Sequence, residues 1–207
     1  MISKIKYKLT LKKLQKKWRE KNNHNKTEIN RIFNIDKITV GKNSYGNVDI
    51  YEWDTYGEEL VIGNFVSIAR GVKFILGGNH KYKRLINYPF NVMLCCGNIE
   101  DDVYSNGKIV VEDDVWIGMD SKIMSGIKIG QGAVIAAGSV VVKDIPPYAI
   151  VGGNPAEIIK YRFDKEIIEK LVDKNNFILS EKEIINNIDM YKNDVVSKGD
   201  IAVKGII

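Results

Sequence analysis

Along the second half of the chain, an aliphatic residue returns at every sixth position. From Val111 the units are VEDDVW, IGMDSK, IMSGIK, IGQGAV, IAAGSV and VVKDIP, opened by Val111, Ile117, Ile123, Ile129, Ile135 and Val141. The second position is often small (Gly118, Gly130, Ala136), and the fifth is small or aliphatic (Val115, Ser121, Ala133, Ser139). An earlier stretch repeats the pattern in IGNFVS, IARGVK and FILGGN, opened by Ile62, Ile68 and Phe74, and VGKNSY at 40–45 is a weaker first turn. A period of six suits neither a helix at 3.6 nor a half-buried strand at 2. It suits a parallel coil of triangular cross-section with one unit per side. Each aliphatic opener then points into the axis and stacks on its counterpart one coil later. Small residues let the chain bend at the corners. Three units make a coil, and each coil rises by the ~4.8 Å that separates neighbouring strands.

Between Phe74 and Val111 the repeat is interrupted by an insertion over about 76–108, containing GGNHKYKRLINYPFNVMLCCGNIEDDVYSNG. A long excursion from a rigid scaffold is where function is expected. At the far end, Pro146 and Pro147 cannot donate to a strand ladder and predict closure of the coil. FDKEIIEKLVDK then reads as a helix with Ile167, Ile168 and Leu171 inward. SEKEIINNIDMYKNDV reads as another, with Ser180 and Glu183 forming a capping box. The tail VSKGDIAVKGII has no clear pattern. At the near end, Tyr7, Leu11, Leu14 and Trp18 share one face of a helix, followed by the polar break KNNHNKTE. Three segments result: a basic helical arm at 1–30, a coil at 38–160, and a C-terminal helical segment at 161–207.

Charge divides the same way. The formal net charge of the 207 residues is +5, yet residues 4–21 hold nine Lys or Arg against Glu20 alone. The remainder is therefore net negative, which argues against a nucleic-acid face on the body. The arm could lie on an anionic membrane surface or pack its stripe on the body or a neighbouring subunit, and packing is the favoured reading. No stretch of 18 apolar residues exists and the lysines interrupt any signal-like core, so the expectation is a cytoplasmic protein, peripheral at most to the inner face of the membrane. Cys95 and Cys96, the only two cysteines, are adjacent and are expected to be buried or bystander thiols rather than a disulfide framework.

The residues IGNFVSIARGV (62–72), GGNHKY (77–82), YPF (88–90), VEDDVWIG (111–118) and SVVVKDIPPYAIVGGNPAEIIKYRF (139–163) resemble the hexapeptide-repeat acyltransferases. More narrowly, they resemble the xenobiotic acetyltransferase branch, the chloramphenicol acetyltransferase type B-related O-acetyltransferases. The similarity covers about residues 38–175. It implies a left-handed parallel β-helix, a homotrimer with active sites between neighbouring subunits, acetyl-CoA as donor, and a hydroxyl or amino acceptor. Two departures favour a glycan acceptor. LVDKNNFILS lacks the tryptophans usual in antibiotic-modifying members, and the basic arm is more like that of relatives that modify surface polysaccharides.

Acetyl transfer from a thioester needs the acceptor proton removed and the tetrahedral oxyanion stabilised. Histidine, with a pKa of ~6.5, supplies a neutral base near pH 7. Of two histidines, His24 sits among lysines and asparagines and is expected to be solvated, whereas His80 in GGNH matches the family's catalytic histidine. A backbone carbonyl or an acidic group should orient its other nitrogen. Backbone N–H groups of a coil side are candidates for the oxyanion site. The resemblance assigns the donor to Met119 and Ala137 along the pantetheine arm, and to Val142, Lys143 and Lys160 around the adenosine phosphates, where lysine serves as a point charge. Trp116 walls the thioester end or packs between subunits. Asn79 and Tyr45 or Tyr56 are candidates for acceptor contacts. A metal enzyme on this scaffold needs three histidine ligands per site, and the repeat holds only His80, so no metal is expected. The alternative acceptors are an antibiotic hydroxyl of the chloramphenicol or streptogramin kind and the amino group of a sugar nucleotide.

Overall fold

The computed structural model describes residues 4–173 and 181–191. The chain forms two compact units, one through Lys160 and one from Tyr161. In the first, short strands build three parallel sheets that the chain visits in rotation. The first sheet contains Tyr45–Asn47, Ser67–Ile68, Trp116–Ile117, Val134–Ile135 and Ala149–Gly153; the second, Ile38–Val40, Leu60–Ile62, Ile109–Val111 and Lys128–Ile129; the third, Asp49–Tyr51, Lys73–Ile75, Lys122–Met124 and Val140–Val141. Chain order runs second, first, third, then second again, so every circuit closes one triangular turn.

The register shows why the sequence has its period. Val111 pairs with Ile129, Ile117 with Ile135 and Ile123 with Val141, each opener meeting the one three units later. The six openers and their earlier counterparts Ile62, Ile68 and Phe74 form one stacked, buried core. Across the insertion the partners are Ile62 and Val111, Ile68 and Ile117, and Phe74 and Ile123. The members of each pair are separated by one regular coil plus the segment 77–107, so the excursion leaves the stacking register unchanged. Ser121 and Ser139, small fifth positions, are buried and donate to the Ala136 carbonyl at 3.0 and 2.6 Å. Corners are held by side chains as well as glycine. The Asp113 carboxylate accepts from the Asn64 N–H at 2.8 Å and the Asn64 amide at 2.9 Å.

Two expectations are corrected at the ends of the coil. The segment read as a polar break contains the strand Lys26–Glu28, which adds to the first sheet beside Tyr45–Asn47. Its single buried side chain, Thr27, is too short a signal for periodicity to register. Pro146 and Pro147 do not end the ladder either, because Ala149–Gly153 still pairs with Val134–Ile135 and the strand Ala156–Tyr161 follows it in the first sheet. The prolines occupy a corner, where no ladder N–H is needed. The weak first turn is explained as well. Ile38 and Leu60 are register partners although they lie further apart in sequence than one regular coil, since the corner at 52–59 is longer than the others.

Helix α1 (Lys4–Lys21) caps the first coil through its last turns. Trp18 is buried, donates to the Thr27 carbonyl at 3.1 Å, and meets Phe33 edge to face at 6.1 Å between centroids. Leu14 packs against the same core. The stripe Tyr7–Leu11–Leu14–Trp18 thus engages the body at its C-terminal half, while residues 4–10 are exposed. The insertion carries a short helix α2 (Phe90–Leu94). In the second unit α3 (Lys165–Asp173) carries Ile167, Ile168 and Leu171 as expected, with Ile167 buried. The expected second helix is divided at Asn187 into α4 (Glu181–Asn186) and α5 (Ile188–Tyr191). The Ser180 cap and the tail lie outside the described residues. No helix among the described residues is long and apolar enough to cross a membrane.

Replacing Trp18 with Ala should destabilise the first coil by about 3–5 kcal/mol, read as a lower midpoint in thermal denaturation. Trp18→Phe, which keeps the ring contact and removes the donor to Thr27, should lose only about 1 kcal/mol.

Candidate active site

The insertion leaves and rejoins the coil at the corner between the third and second sheets. Leu76 is the last residue in register, its N–H bonded to the Tyr51 carbonyl at 2.9 Å. Gly77 and Gly78 then turn the chain outward under tight constraints. A Cβ on Gly77 would lie 2.1 Å from a carboxylate oxygen of buried Glu58, and one on Gly78 would lie 2.6 Å from the Trp53 ring, at φ +76°. Glu58 is itself fixed by the N–H groups of Trp53 and Asp54, each at 2.9 Å, and by the Thr55 hydroxyl at 2.7 Å. The two glycines of GGNH therefore let the strap pass close over the preceding corner.

The strap Asn79–His80 pairs antiparallel with Val103–Tyr104, the returning end of the insertion. Asn79 donates to Ser125 Oγ at 3.0 Å and to the Tyr104 carbonyl at 3.3 Å, so its amide ties the strap to the coil below. The His80 side chain is exposed, and its Nδ1 lies 2.8 Å from the Asn87 carbonyl oxygen. A carbonyl only accepts, so Nδ1 carries the proton and Nε2 presents a lone pair. The orienting group sought for His80 is thus a backbone carbonyl from further along the insertion.

The segment that carries this carbonyl is tied at both ends to Asp102, next in sequence to the strand opposite His80. Its carboxylate, 1% exposed, accepts from Arg84 Nη1 at 2.9 Å, the Asn91 amide at 2.8 Å and the Val92 N–H at 2.9 Å. These donors bracket Asn87 in sequence. Burial opposes ionisation of Asp102, but the Val92 N–H, the Asn91 amide and the Arg84 guanidinium outweigh it and hold the carboxyl below its usual range. Nothing in the acidic run of the insertion marked this residue out beforehand.

The other candidates fall into groups. Tyr56 projects from the corner at 52–59 with its side chain 92% exposed, and its N–H donates to Glu100 of the insertion at 3.1 Å. It borders an open depression of about 490 Å³ with Glu59, Glu100 and Lys108. Tyr45 and Trp116 lie on the outer face of the first sheet, both register partners of Ser67 and both more than half exposed. Val134 and Ile150 continue that row beyond Trp116. Met119 and Ala137 stack one coil apart at the corner between the first and third sheets, where the Gly138 N–H reaches the Met119 carbonyl at 2.7 Å. Exposed Val142 and Lys143 start the next corner, and the Lys143 ammonium turns back to Glu157 at 3.8 Å, on the strand that also carries Lys160. The ladder N–H groups of the coil sides are committed to their neighbours, as with Trp116 to Ala133 at 3.0 Å and Gly118 to Ile135 at 2.8 Å, so an oxyanion donor must come from elsewhere than these. His24 is exposed but not merely solvated, because its Nε2 lies 2.8 Å from the Val40 carbonyl. Cys95 and Cys96 are free and exposed rather than buried. Among the described residues no group of three or more His, Cys, Asp or Glu side chains is arranged to hold a metal.

A strap-borne imidazole on a coil of six-residue sides defines a class, the hexapeptide transferases. The family model for bacterial transferase hexapeptide (six repeats) matches residues 108–143. A protein of Lysinibacillus sphaericus named a probable macrolide acetyltransferase is 41% identical over 152 residues, covering 70% of this chain and 83% of the relative. A chloramphenicol acetyltransferase of Klebsiella aerogenes is 46% identical over 121 residues, 56% of this chain and 58% of the relative, so the chain spans little more than half of that protein. The crystal structure of a hexapeptide-repeat-containing acetyltransferase from Vibrio cholerae superposes with a TM-score of 0.52 at 30% identity, covering 70% of this chain and 77% of that one. The chain belongs to the hexapeptide-repeat acetyltransferases, in the branch that includes the chloramphenicol and macrolide acetyltransferases, and it is an enzyme of that kind.

Gly78→Ala, forced against Trp53 at a positive φ, should displace the strap and lower kcat at least tenfold while the coil's thermal midpoint changes little; steady-state kinetics beside a melting curve tests both. The sign of the Asp102 effect follows from its lowered carboxyl. The stability it confers on the insertion is fully present above the unfolded pKa of ~3.9 and is lost as pH falls through the lower folded value. Hydrogen-exchange protection at the Val92 N–H should therefore collapse on acidification below about pH 4. In Asp102→Asn it should be weak at every pH.

Proposed function

We propose that the protein is an acetyl-CoA-dependent O-acetyltransferase folded as a left-handed parallel β-helix, with His80 as general base. The observation that carries this is the 2.8 Å contact from His80 Nδ1 to the Asn87 carbonyl, which leaves Nε2 as the basic nitrogen on an exposed strap. Nε2 takes the proton of an acceptor hydroxyl as its oxygen attacks the thioester carbonyl. When the C–S bond breaks, the imidazolium returns that proton to the departing thiolate. Such a base contributes ~10²–10⁴-fold in rate.

The donor reading fits the chain's own residues. The row Trp116, Val134 and Ile150 with Met119 and Ala137 gives a partly apolar track suited to a pantetheine arm. Lys160, on the last strand of the first sheet, supplies a cation at its end for phosphate, and Lys143 adds a second from the corner between the third and second sheets, its ammonium turned toward Glu157 of that strand. That track and His80 belong to different parts of one triangular turn. The track follows the first sheet and its edge, whereas His80 rises from the opposite corner, between the third and second sheets. One chain therefore does not complete the site, which supports a homotrimer in which His80 of one subunit faces Trp116 of the next. Tyr56, beside the strap, and Tyr45, two rungs from Trp116, are then on the two walls of one cleft and serve the acceptor. Asn79, with its amide engaged by Ser125 and Tyr104, positions the strap instead.

For the acceptor we favour a sugar hydroxyl of a surface polysaccharide or its precursor, acetylated in the cytoplasm, where acetyl-CoA is available. The basic arm and the tryptophan-free LVDKNNFILS support this reading. The names of the macrolide and chloramphenicol relatives support a second one, an antibiotic hydroxyl. An amino sugar nucleotide is a third. Release of CoA thiol from acetyl-CoA should be followed with oligosaccharides, amino-sugar nucleotides, chloramphenicol, a macrolide and a streptogramin. Turnover with an oligosaccharide, lowered at least a hundredfold in His80→Ala, is the expected result. Near-wild-type turnover in His80→Ala would overturn the mechanism, and turnover on an antibiotic alone would replace the acceptor.

A further inference from the structure

Helix α1 has two apolar rows, and only one of them serves the fold. Of the row Tyr7, Leu11, Leu14 and Trp18, the C-terminal half engages the body, with Trp18 in the core and Leu14 against it. Ile5 and Leu9 lie one turn apart from each other and two residues off Tyr7 and Leu11, about 200° around the helix. They are 73% and 57% exposed. The outward face around them carries Lys8, Lys12 and Lys16 on one side and Lys13 and Lys17 on the other, all exposed. No acidic residue occurs in α1 before Glu20. The two basic residues nearest the C-terminal end serve the chain itself. Arg19 is bonded to the Asn25 carbonyl at 3.0 Å and Lys21 to the Ile35 carbonyl at 2.7 Å.

We propose that this outward face of α1 docks the enzyme on an anionic lipid bilayer, with Lys8, Lys12, Lys13, Lys16 and Lys17 at the headgroups and Ile5 and Leu9 inserted between them. Charge complementarity selects an anionic partner, because five lysines share a face whose one carboxylate, Glu20, lies at its C-terminal end and pairs with Lys16 at 4.0 Å, on a body that is otherwise net negative. The apolar pair at the N-terminal end of the lysine face selects a bilayer over a nucleic acid. An interface accepts buried aliphatic side chains beside headgroups, whereas a phosphodiester backbone offers them nothing. The face is independent of the catalytic strap, and the proposal stands whichever acceptor is used. Removing the whole arm would not test it, since that would also extract Trp18 from the core.

The test is cosedimentation of the full chain with vesicles of phosphatidylcholine alone or with phosphatidylglycerol, at low and high salt. Binding should require the anionic lipid and weaken with salt. The triple variant Lys8→Gln/Lys12→Gln/Lys16→Gln should lose about fivefold per lysine, on the order of a hundredfold in partitioning. Ile5→Ser/Leu9→Ser should lose several-fold, with an unchanged melting curve because both side chains are exposed. Equal binding to neutral vesicles, no binding to either, or Ile5→Ser/Leu9→Ser matching the wild type would overturn the proposal. So would duplex DNA displacing the protein from anionic vesicles at equal phosphate concentration, which would make the face a nucleic-acid site.

Discussion

The rest of the structure depends on a stacking constraint: aliphatic side chains one coil apart must meet along a common axis while the backbone between them completes a turn. Each opener, from Ile62 to Val141, contributes both to the core and to a parallel ladder. A side cannot be lengthened by a single position without rotating every later opener out of the axis. Additions are therefore confined to corners, and they must leave and return at one point. The segment 77–107 does so between Leu76 and the corner at Gly107, where Ser105 bonds back to the Leu76 carbonyl. The register that excludes irregular chain from the sides presents His80 at a defined height on one corner.

Orientation is a separate problem from position, and the insertion solves it with its own polar groups. The imidazole needs an acceptor at Nδ1, the acceptor is the Asn87 carbonyl, and that stretch is gathered around one buried carboxylate. Asp102 receives three donors drawn from residues 84–92. A buried charge without partners would be strongly unfavourable, but with them it organises a segment that has almost no core of its own. The glycines that precede His80 complete the arrangement, because a side chain at either would strike Glu58 or Trp53. The geometry of the His80 strap is carried by hydrogen bonds over a corner rather than by apolar packing.

What the sequence revealed follows from this division. The period of six, the limits of the insertion and the place of His80 at its base were legible, since the openers repeat regularly and GGNH breaks the pattern at its end. Asp102, Asn87 and Glu58 were not. A buried carboxylate in the run IEDDVY looks like any other, and a carbonyl has no letter. Thr27 and its strand were hidden because so short a strand shows no period, and the prolines misled because a corner tolerates them as well as a terminus does. On α1, the stripe ending at Trp18 was visible, while the opposite pair Ile5 and Leu9 was masked by surrounding lysines. In each case the missed feature acts through backbone or long-range partners that periodicity does not record.

The Asn87 carbonyl holds His80 as the Nδ1–H tautomer, which leaves the Nε2 lone pair open. Long-range proton–nitrogen correlation on ¹⁵N-histidine-labelled protein, with His80→Ala to assign the signals, measures this directly. A protonated Nδ1 and a bare Nε2 are expected in the neutral ring of His80. A neutral ring with its proton on Nε2 would contradict this.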